Sequence, residues 1–431
     1  MSYENFITKL LNIKPSDLLS VMSSYAKDGS IILKVRLKPK ECYCHICNIP
    51  GKTHGYYQRK LTHSTLVNRQ CIIIYEQRRY KCSECGSTFS ERNPFIDTSE
   101  RVTYETKINV LKDLKQPENT YTSIAQKYNL SATKVTRIFD KHVTIKRKPL
   151  PMVLSIDEHY FPSSDYGTKY CCLFMNFQTG VMIDIIYDRK KNCLTDYFSS
   201  IKNETLDMRT LKSELDNVKY ISIDMYDTYR DIANIFFPKA KVCADSFHVL
   251  KHLTDDFRKI RLRLARNTED HTLKYLLVKF RSIFDHNKNI DNEPRYNKRL
   301  NRYVNLRDIR DIVFNAFEEL RAAYELKEYY IRLNAETTLE EAPKVIDEAI
   351  EYFESCGIEE YEEFYKMLTN WHEEIINSFT LINGKRINNS YMESKNRVLS
   401  RLIFNANGFK NFERTRNRML YCLNPDDTFR L

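Results

Sequence analysis

Two runs of strand-forming residues, "PMVLSID" at 151–157 and "VKYISID" at 218–224, end in the same three residues, Ser-Ile-Asp. Each sets a carboxylate where the apolar pattern stops. Around them the periodicity changes in a definite order. "TKYCCLFMNFQTG" and "VMIDIIYDR" read as a second and third strand joined by a turn at Thr179 and Gly180, "NCLTDYFSSIK" and "TYRDIANIFFP" as helices, and "AKVCAD" as the last strand. The sequence of elements is therefore β-β-β-α-β-α-β.

That order is the order of a ribonuclease H-like fold, in which the first and fourth strands lie side by side. Such a sheet brings Asp157 and Asp224 together. Two carboxylates that close repel and raise each other's pKa unless a cation sits between them. Mg2+, a hard ion held by a few carboxylates, phosphate oxygens and water, suits the position. A third carboxylate is expected from a later helix, and Glu393 in "NNSYMESKNRVLSR" is the candidate, with Lys395, Arg397 and Arg401 near it in sequence. Between these points, residues 251–384 read as almost wholly helical. Leu273, Leu276, Leu277, Phe280 and Phe284 fall at helical spacing, as do Ile346, Ala349, Ile350 and Phe353, and these stripes read as core.

The N-terminal third carries different signals. Cys44 with Cys47 and Cys82 with Cys85 form two C-x-x-C pairs. Paired knuckles supply four thiolates to one tetrahedral zinc, and the alternating "QCIIIYEQRRYKC" between them suits a hairpin that returns the chain. Cys42, Cys71 and His54 are substitute ligands. Arg59, Lys60, Arg69, Arg78 and Arg79, interleaved with Tyr56, Tyr57, Tyr75 and Tyr80, suit a phosphate-contacting face and equally suit an exposed strand face. In "TYTSIAQKYNLSATKVTRIFD", Ile124, Ala125 and Tyr128 line one helical face and Val135, Ile138 and Phe139 the next. With Ser131 as N-cap of the second helix, this is the layout of a helix-turn-helix presenting Thr133, Lys134, Thr136 and Arg137 to a DNA groove. Any small pair of packed helices shares the pattern. "DKHVTIKRKPLP" then reads as a basic linker.

Lys and Arg outnumber Asp and Glu by 68 to 57, a formal charge of +11. This favours a polyanionic partner, nucleic acid before a membrane surface, and also fits a solvated basic surface. With nine glycines the chain has no Gly-rich phosphate loop, so no nucleotide cofactor is expected. No apolar run approaches the roughly 20 residues that cross a bilayer, and the start lacks a signal peptide's apolar core, so the expected location is cytoplasmic, without membrane association.

The chain resembles the DDE transposases of bacterial insertion sequences, specifically the ISL-three family. The resemblance runs through the C-x-x-C pairs with His54 and Gly55 between them, the helix-turn-helix, "SIDEHYF", "YDR", "SIDMYDTYRDIANIFFPKAKVCADSFHVLKH" and "ESKNRVLSRLIFNANGFKNFERTRNRML". It implies a catalytic triad of Asp157, Asp224 and Glu393 holding two Mg2+ or Mn2+ ions, Asp157 bridging both. Water first nicks the element's end, and the freed 3′-OH then joins target DNA without a covalent enzyme intermediate. The implied partners are double-stranded terminal inverted repeats and target DNA, with a DNA-bound homodimer and a nucleoid-associated location. Asp245 and His248 resemble a D-x-x-H motif of several such groups, which makes His248 an auxiliary candidate. A helix-capping Asp245 with a structural His248 fits the same spacing. The sequence departs from the family pattern in "NNSYMES" around Glu393, where Asn-Gly usually precedes the acid and Gly follows it, and at Ser246. Glu158 and Asp227 read as neighbours of the acids, and Glu413 as the substitute for Glu393.

The expected class is thus a multidomain α+β protein: an N-terminal segment 1–38, a zinc-binding module 39–92, a helix-turn-helix with linker 93–148, the first part of the catalytic core 149–250, an all-helical insertion 251–384, and the C-terminal helical part of the core 385–431. Rival readings are a DNA-binding regulator without catalysis, a structure-selective nuclease with the same core, and a structural zinc protein. The three acids weigh against the regulator, and two DNA-reading modules weigh against shape-only recognition.

Overall fold

The computed structural model describes residues 3–66, 69–97, 99–163, 167–285, 289–406 and 411–431. Residues 407–410 of the quoted "FNANGFKNF" block lie outside them. The chain forms two compact units, one of residues 1–146 with 398–431 and one of residues 147–397.

The first unit opens with a short helix, Tyr3–Leu10, and then a sheet of β1 (Leu18–Tyr25), β2 (Ile31–Leu37), β3 (Lys52–Leu66), β4 (Arg69–Lys81) and β5 (Thr88–Ser90). The order is β1-β2-β4-β3, with β5 also on β4. β2 and β4 run parallel, Leu33 opposite Ile73, and β3 and β4 form a long antiparallel hairpin from Lys52↔Lys81 to Leu66↔Arg69. Alternate residues Leu33, Val35, Leu61, Cys71, Ile73 and Tyr75 face one core with Ile7, Leu11, Phe95 and Ile96. Burying each large apolar side chain contributes about 1.5–3 kcal/mol, which is what holds a sheet with one wet face. β1 is exposed along most of its length, so its residues carry little apolar alternation.

Three helices follow, Tyr104–Leu114, Tyr121–Tyr128 and Ala132–His142. Thr120 caps the second in a reciprocal box with Ser123, Asn129 ends it at φ +51°, and the Ser131 side chain accepts the Lys134 N–H at 3.1 Å to start the third. Ile124, Ala125 and Tyr128 pack inward from one helix and Val135, Ile138 and Phe139 from the next. The last helix, Phe412–Leu423, closes this unit: Tyr421 donates to the Leu111 carbonyl at 3.0 Å, Arg418 to the carbonyls of Gln116 and Asn119, and Arg414 pairs with Asp140.

The second unit is built on a sheet of β6 (Val153–Ser163), β7 (Thr168–Asn176), β8 (Met182–Ile186), β9 (Tyr220–Ile223) and β10 (Lys241–Ala244) in the order β10-β9-β6-β7-β8. The first three strands are antiparallel neighbours, while β6, β9 and β10 run parallel. Helix Lys191–Thr205 joins β8 to β9 and helix Asp227–Phe236 joins β9 to β10, as parallel strands require a crossover. The strands read as nearly continuous apolar runs because they are buried, β8 along its whole length.

The 22-residue helix Ser246–Asn267 leaves β10 and enters a helical segment running to His372–Asn377, broken by a short hairpin at Arg295–Asn297 and Arg302–Val304. Its apolar stripes join the sheet in one continuous core from Leu150 to Phe379, with Leu276, Leu277, Phe284, Ile346, Ala349 and Phe353 buried. Helix His372–Asn377 covers the β10 edge, where Asn377 donates to the Val242 carbonyl at 3.1 Å. Buried Arg261 is satisfied by Asp285 and the Leu277 carbonyl, which offsets the cost of taking its charge from water. Among the described residues no helix is long and apolar enough to cross a membrane.

Candidate active site

β6 and β9 pair with Leu154 opposite Ile221 and Ser155 opposite Ser222. Two residues further along each strand direction stand Asp157 and Asp224. The Ser-Ile-Asp repeated in sequence is thus side by side in space. Asp157 is 7% exposed, its Oδ1 accepting the Glu158 N–H at 2.8 Å and its Oδ2 the Asn396 amide at 2.9 Å. Burial pushes its pKa up to about 7 against the pull of those two donors. Asp224 ends β9 with Oδ1 buried and without a hydrogen-bond partner. Burial, then the charges of Glu158 and Asp157, push it up to about 8.

Asp245 adds a third buried carboxylate, 1% exposed. It caps helix Ser246–Asn267 through the Phe247 N–H, and the same Oδ1 accepts the Asn389 N–H at 3.2 Å. Burial raises its pKa, while His248, with Nε2 3.8 Å from Asp245 Oδ2, is lowered by burial against the pull of that carboxylate. Glu393 lies half-buried in the first turn of helix Ser390–Ala406, where a carboxylate suits the helix dipole. Among the described residues, Asp157, Asp224 and Glu393 do not form a set whose ligand atoms all lie within 4.8 Å of one another. Their fit to a divalent cation is in chemistry: a buried carboxylate beside a half-buried one with an orphaned buried oxygen, where burial and neighbouring acids outweigh the pull of Arg189 on Asp224.

Glu158, the next residue of β6, acts on Asp224 through its charge. It pairs with Arg189, and Tyr229 donates to it at 3.3 Å. The Arg189 guanidinium stacks on Tyr170 and Tyr226 at 4.4 and 4.7 Å. Asp227 is exposed in the first turn of helix Asp227–Phe236. Lys395 is half-buried with its pKa lowered by burial, and Arg397 is exposed. In the other unit, Arg401 pairs with Glu118 at 2.6 Å and Glu413 is exposed at the start of the last helix. Asn396 escapes a reading that looks for acids and bases. Its signal is position, three residues after Glu393 and hence on the same helical face.

The hairpin β3–β4 brings the two cysteine knuckles together. Cys44, Cys47, Cys82 and Cys85 place their sulfurs within 4.8 Å of one another, Cys44 and Cys85 at 3.6 Å. Thiolates on a tetrahedral zinc at about 2.3 Å stand about 3.8 Å apart, so the set fits that ion. Each knuckle turns back through a left-handed residue just after its second cysteine, Asn48 at φ +53° and Gly86 at φ +70°. The Ser87 hydroxyl and backbone N–H groups hold the Cys44 thiol down to about 6, whereas the thiol and charge of Cys85 push Cys47 up to about 12. The substitutes stay outside the cluster: Cys71 is buried in the sheet core, and neither Cys42 nor His54 joins it.

Among the basic residues expected on a phosphate-contacting face, Arg78 is corrected. It is 2% exposed, turned inward to the Leu37 carbonyl at 3.2 Å and stacked on Tyr56, contacts far off in sequence that no local pattern announces. Arg79 is exposed beside it, as strand alternation dictates. On helix Ala132–His142, Thr133 and Arg137 are exposed, Lys134 and Thr136 half-buried, and Ser131 is engaged as the cap.

With this geometry in view, the comparison with known families is specific. A family model described as Transposase, that of the ISL-three DDE group, matches residues 154–419, more than half of the chain and a span that includes Asp157, Asp224 and Glu393. The chain belongs to this transposase family, and its substrate is accordingly DNA. No curated protein matches it.

Proposed function

We propose that the protein binds the terminal inverted repeats of an insertion sequence, hydrolyses phosphodiester bonds at the element ends and joins the freed 3′-OH to target DNA. The observation that carries this reading is the parallel register of β6 and β9, which sets buried Asp157 beside half-buried Asp224. The sheet order β10-β9-β6-β7-β8 supports a ribonuclease H-like core, and the capped helix pair Tyr121–Tyr128 and Ala132–His142 supports a helix-turn-helix. Divalent ions held by Asp157, Asp224 and Glu393 would supply activation of the attacking oxygen and stabilisation of the leaving 3′ oxygen.

The chain's own residues set the conditions for that chemistry. The strands fix Asp157 and Asp224, and their burial, nearly complete at Asp157 and partial at Asp224, limits how far water screens their field. Glu393 contributes the third carboxylate from a helix, and His248 is an auxiliary group beside Asp245. A zinc on the four cysteines fixes the knuckles at the end of the β3–β4 hairpin. Arg79 there, with Thr133, Lys134, Thr136 and Arg137 on the second helix, would bind repeat DNA, phosphate contacts setting register and a few side chains reading bases. Lys395, Arg397 and Arg401 would contact DNA backbone. Two ends held in one complex call for a DNA-bound homodimer.

The test is cleavage and joining of labelled DNA carrying the ends that flank the gene, in Mg2+ or Mn2+, by wild type, Asp157→Asn and Asp224→Asn. Wild type should produce 3′-OH ends that join a second duplex, and each variant should bind the repeat and lose about a hundredfold to a thousandfold of the cleavage rate, roughly the loss of one transition-state charge partner. Specific binding by wild type without cleavage would leave a regulator instead.

A further inference from the structure

We infer that Asn389 and Asn396 are positioning residues that fasten the Glu393 helix to the strand carrying Asp157, and so govern how tightly the acids bind a divalent cation. The inference rests on the reading of those acids as a cation site. Asn396 donates its side-chain amide to Asp157 Oδ2 at 2.9 Å, and Asn389 donates its own to the Ile156 carbonyl at 3.4 Å. Two consecutive residues of β6 are thus held from two points on one helical segment.

The spacing explains why these two residues act together. Asn389 precedes Glu393 by four positions and Asn396 follows it by three, the separations that bring side chains to one face of a helix. The Glu393 N–H closes the first turn on the Asn389 carbonyl at 3.2 Å, so the helix starts at the residue that anchors it. The Asn389 N–H in turn donates to Asp245 Oδ1 at 3.2 Å, fixing the helix start to the end of β10 as well.

Packing alone does not account for the amides. Asn389 is 2% exposed and leaves its Oδ1 buried without a hydrogen-bond partner. Burying an amide half-satisfied is unfavourable where a leucine of similar size would fit. An amide does what neither leucine nor lysine can. It orients a carboxylate by donating to one oxygen, and being neutral it leaves the negative charge that draws a cation.

Mn2+ binding, read from the loss of the free-ion electron paramagnetic resonance signal, tests this without requiring activity. Wild type, Asn396→Leu, Asn396→Ser and Asp157→Asn are compared, with repeat-DNA binding and thermal melting recorded beside them. Leucine keeps the volume and removes the donor, while serine stays polar but is too short to reach Asp157. Both should weaken Mn2+ binding about 10-fold to 100-fold, the effect of losing a group that orients a metal ligand, with repeat binding unchanged. Wild-type Mn2+ affinity in either folded variant overturns the inference and leaves the cation site standing. Wild-type protein without saturable Mn2+ binding that Asp157→Asn abolishes removes the cation site itself, and the inference with it.

Discussion

Buried His63 makes the stability of the first unit depend on pH in a direction opposite to that of a salt-bridged histidine. It is 2% exposed on β3, with Nδ1 3.0 Å from Thr103 Oγ1 and Nε2 buried without a hydrogen-bond partner. Burial holds its pKa down to about 4, against 6.5 for the free side chain. The unfolded chain therefore binds a proton below pH 6.5 that the folded chain refuses. Stability is complete above pH 6.5 and falls as pH drops from there toward 4. Integrated over that window the loss is about 3 kcal/mol, of which about 0.8 kcal/mol falls between pH 8 and 6 and about 2 kcal/mol between pH 8 and 5. Urea unfolding of wild type and His63→Asn at pH 8, 6 and 5 isolates the effect. Other titrating groups, the cysteine thiols included, act in both proteins and cancel in the difference. The variant should start less stable and lose about 2 kcal/mol less than wild type on going from pH 8 to 5. Parallel losses in the two proteins would refute a neutral buried imidazole.

The remaining predictions concern DNA recognition. Chelation of zinc, or Cys82→Ser, should loosen the knuckles and lower repeat-DNA affinity at least tenfold, since the ion fastens the end of the hairpin to a turn 34 residues earlier in the chain at Cys47–Asn48; full repeat binding by demonstrably zinc-free protein would contradict it. Exposed Arg137→Ala should reduce the slope of log affinity against log salt by about one if it contacts a phosphate, measured by fluorescence anisotropy from low to moderate salt; an unchanged slope removes Arg137 from the interface. Ser131→Ala should cost about 1 kcal/mol in urea unfolding, because it removes the side-chain cap and leaves the Lys134 N–H only its bond to the Ser131 carbonyl.

What was legible in the sequence depended on how local its cause is. β6 to β10 show as runs because buried strands need apolar residues throughout, and the repeated Ser-Ile-Asp shows because paired parallel strands place equivalent residues side by side. The C-x-x-C pairs show because a thiolate knuckle is a four-residue device. Contacts between distant segments left no such mark. β1, exposed along most of its length, lacks the alternation that reveals a strand. Arg78 looks like its neighbour Arg79 until Leu37 and Tyr56 close over it. Helix Phe412–Leu423 is tied to helix Tyr104–Leu114 by Tyr421 and Cys422 and to the turn after it by buried Arg418, and Asn396 becomes visible as a partner of Asp157 only when the folded chain brings them to 2.9 Å.

The claim that Asp157 and Asp224 form a cation site is tested most directly by anomalous X-ray scattering from Mn2+ in crystals of the protein bound to terminal-repeat DNA. Mn2+ should appear against the Asp157 and Asp224 carboxylates, with Glu393 reaching the same centre, and should vanish in Asp157→Asn. Mn2+ found only elsewhere, in crystals where the repeat DNA is bound and ordered, would contradict the account.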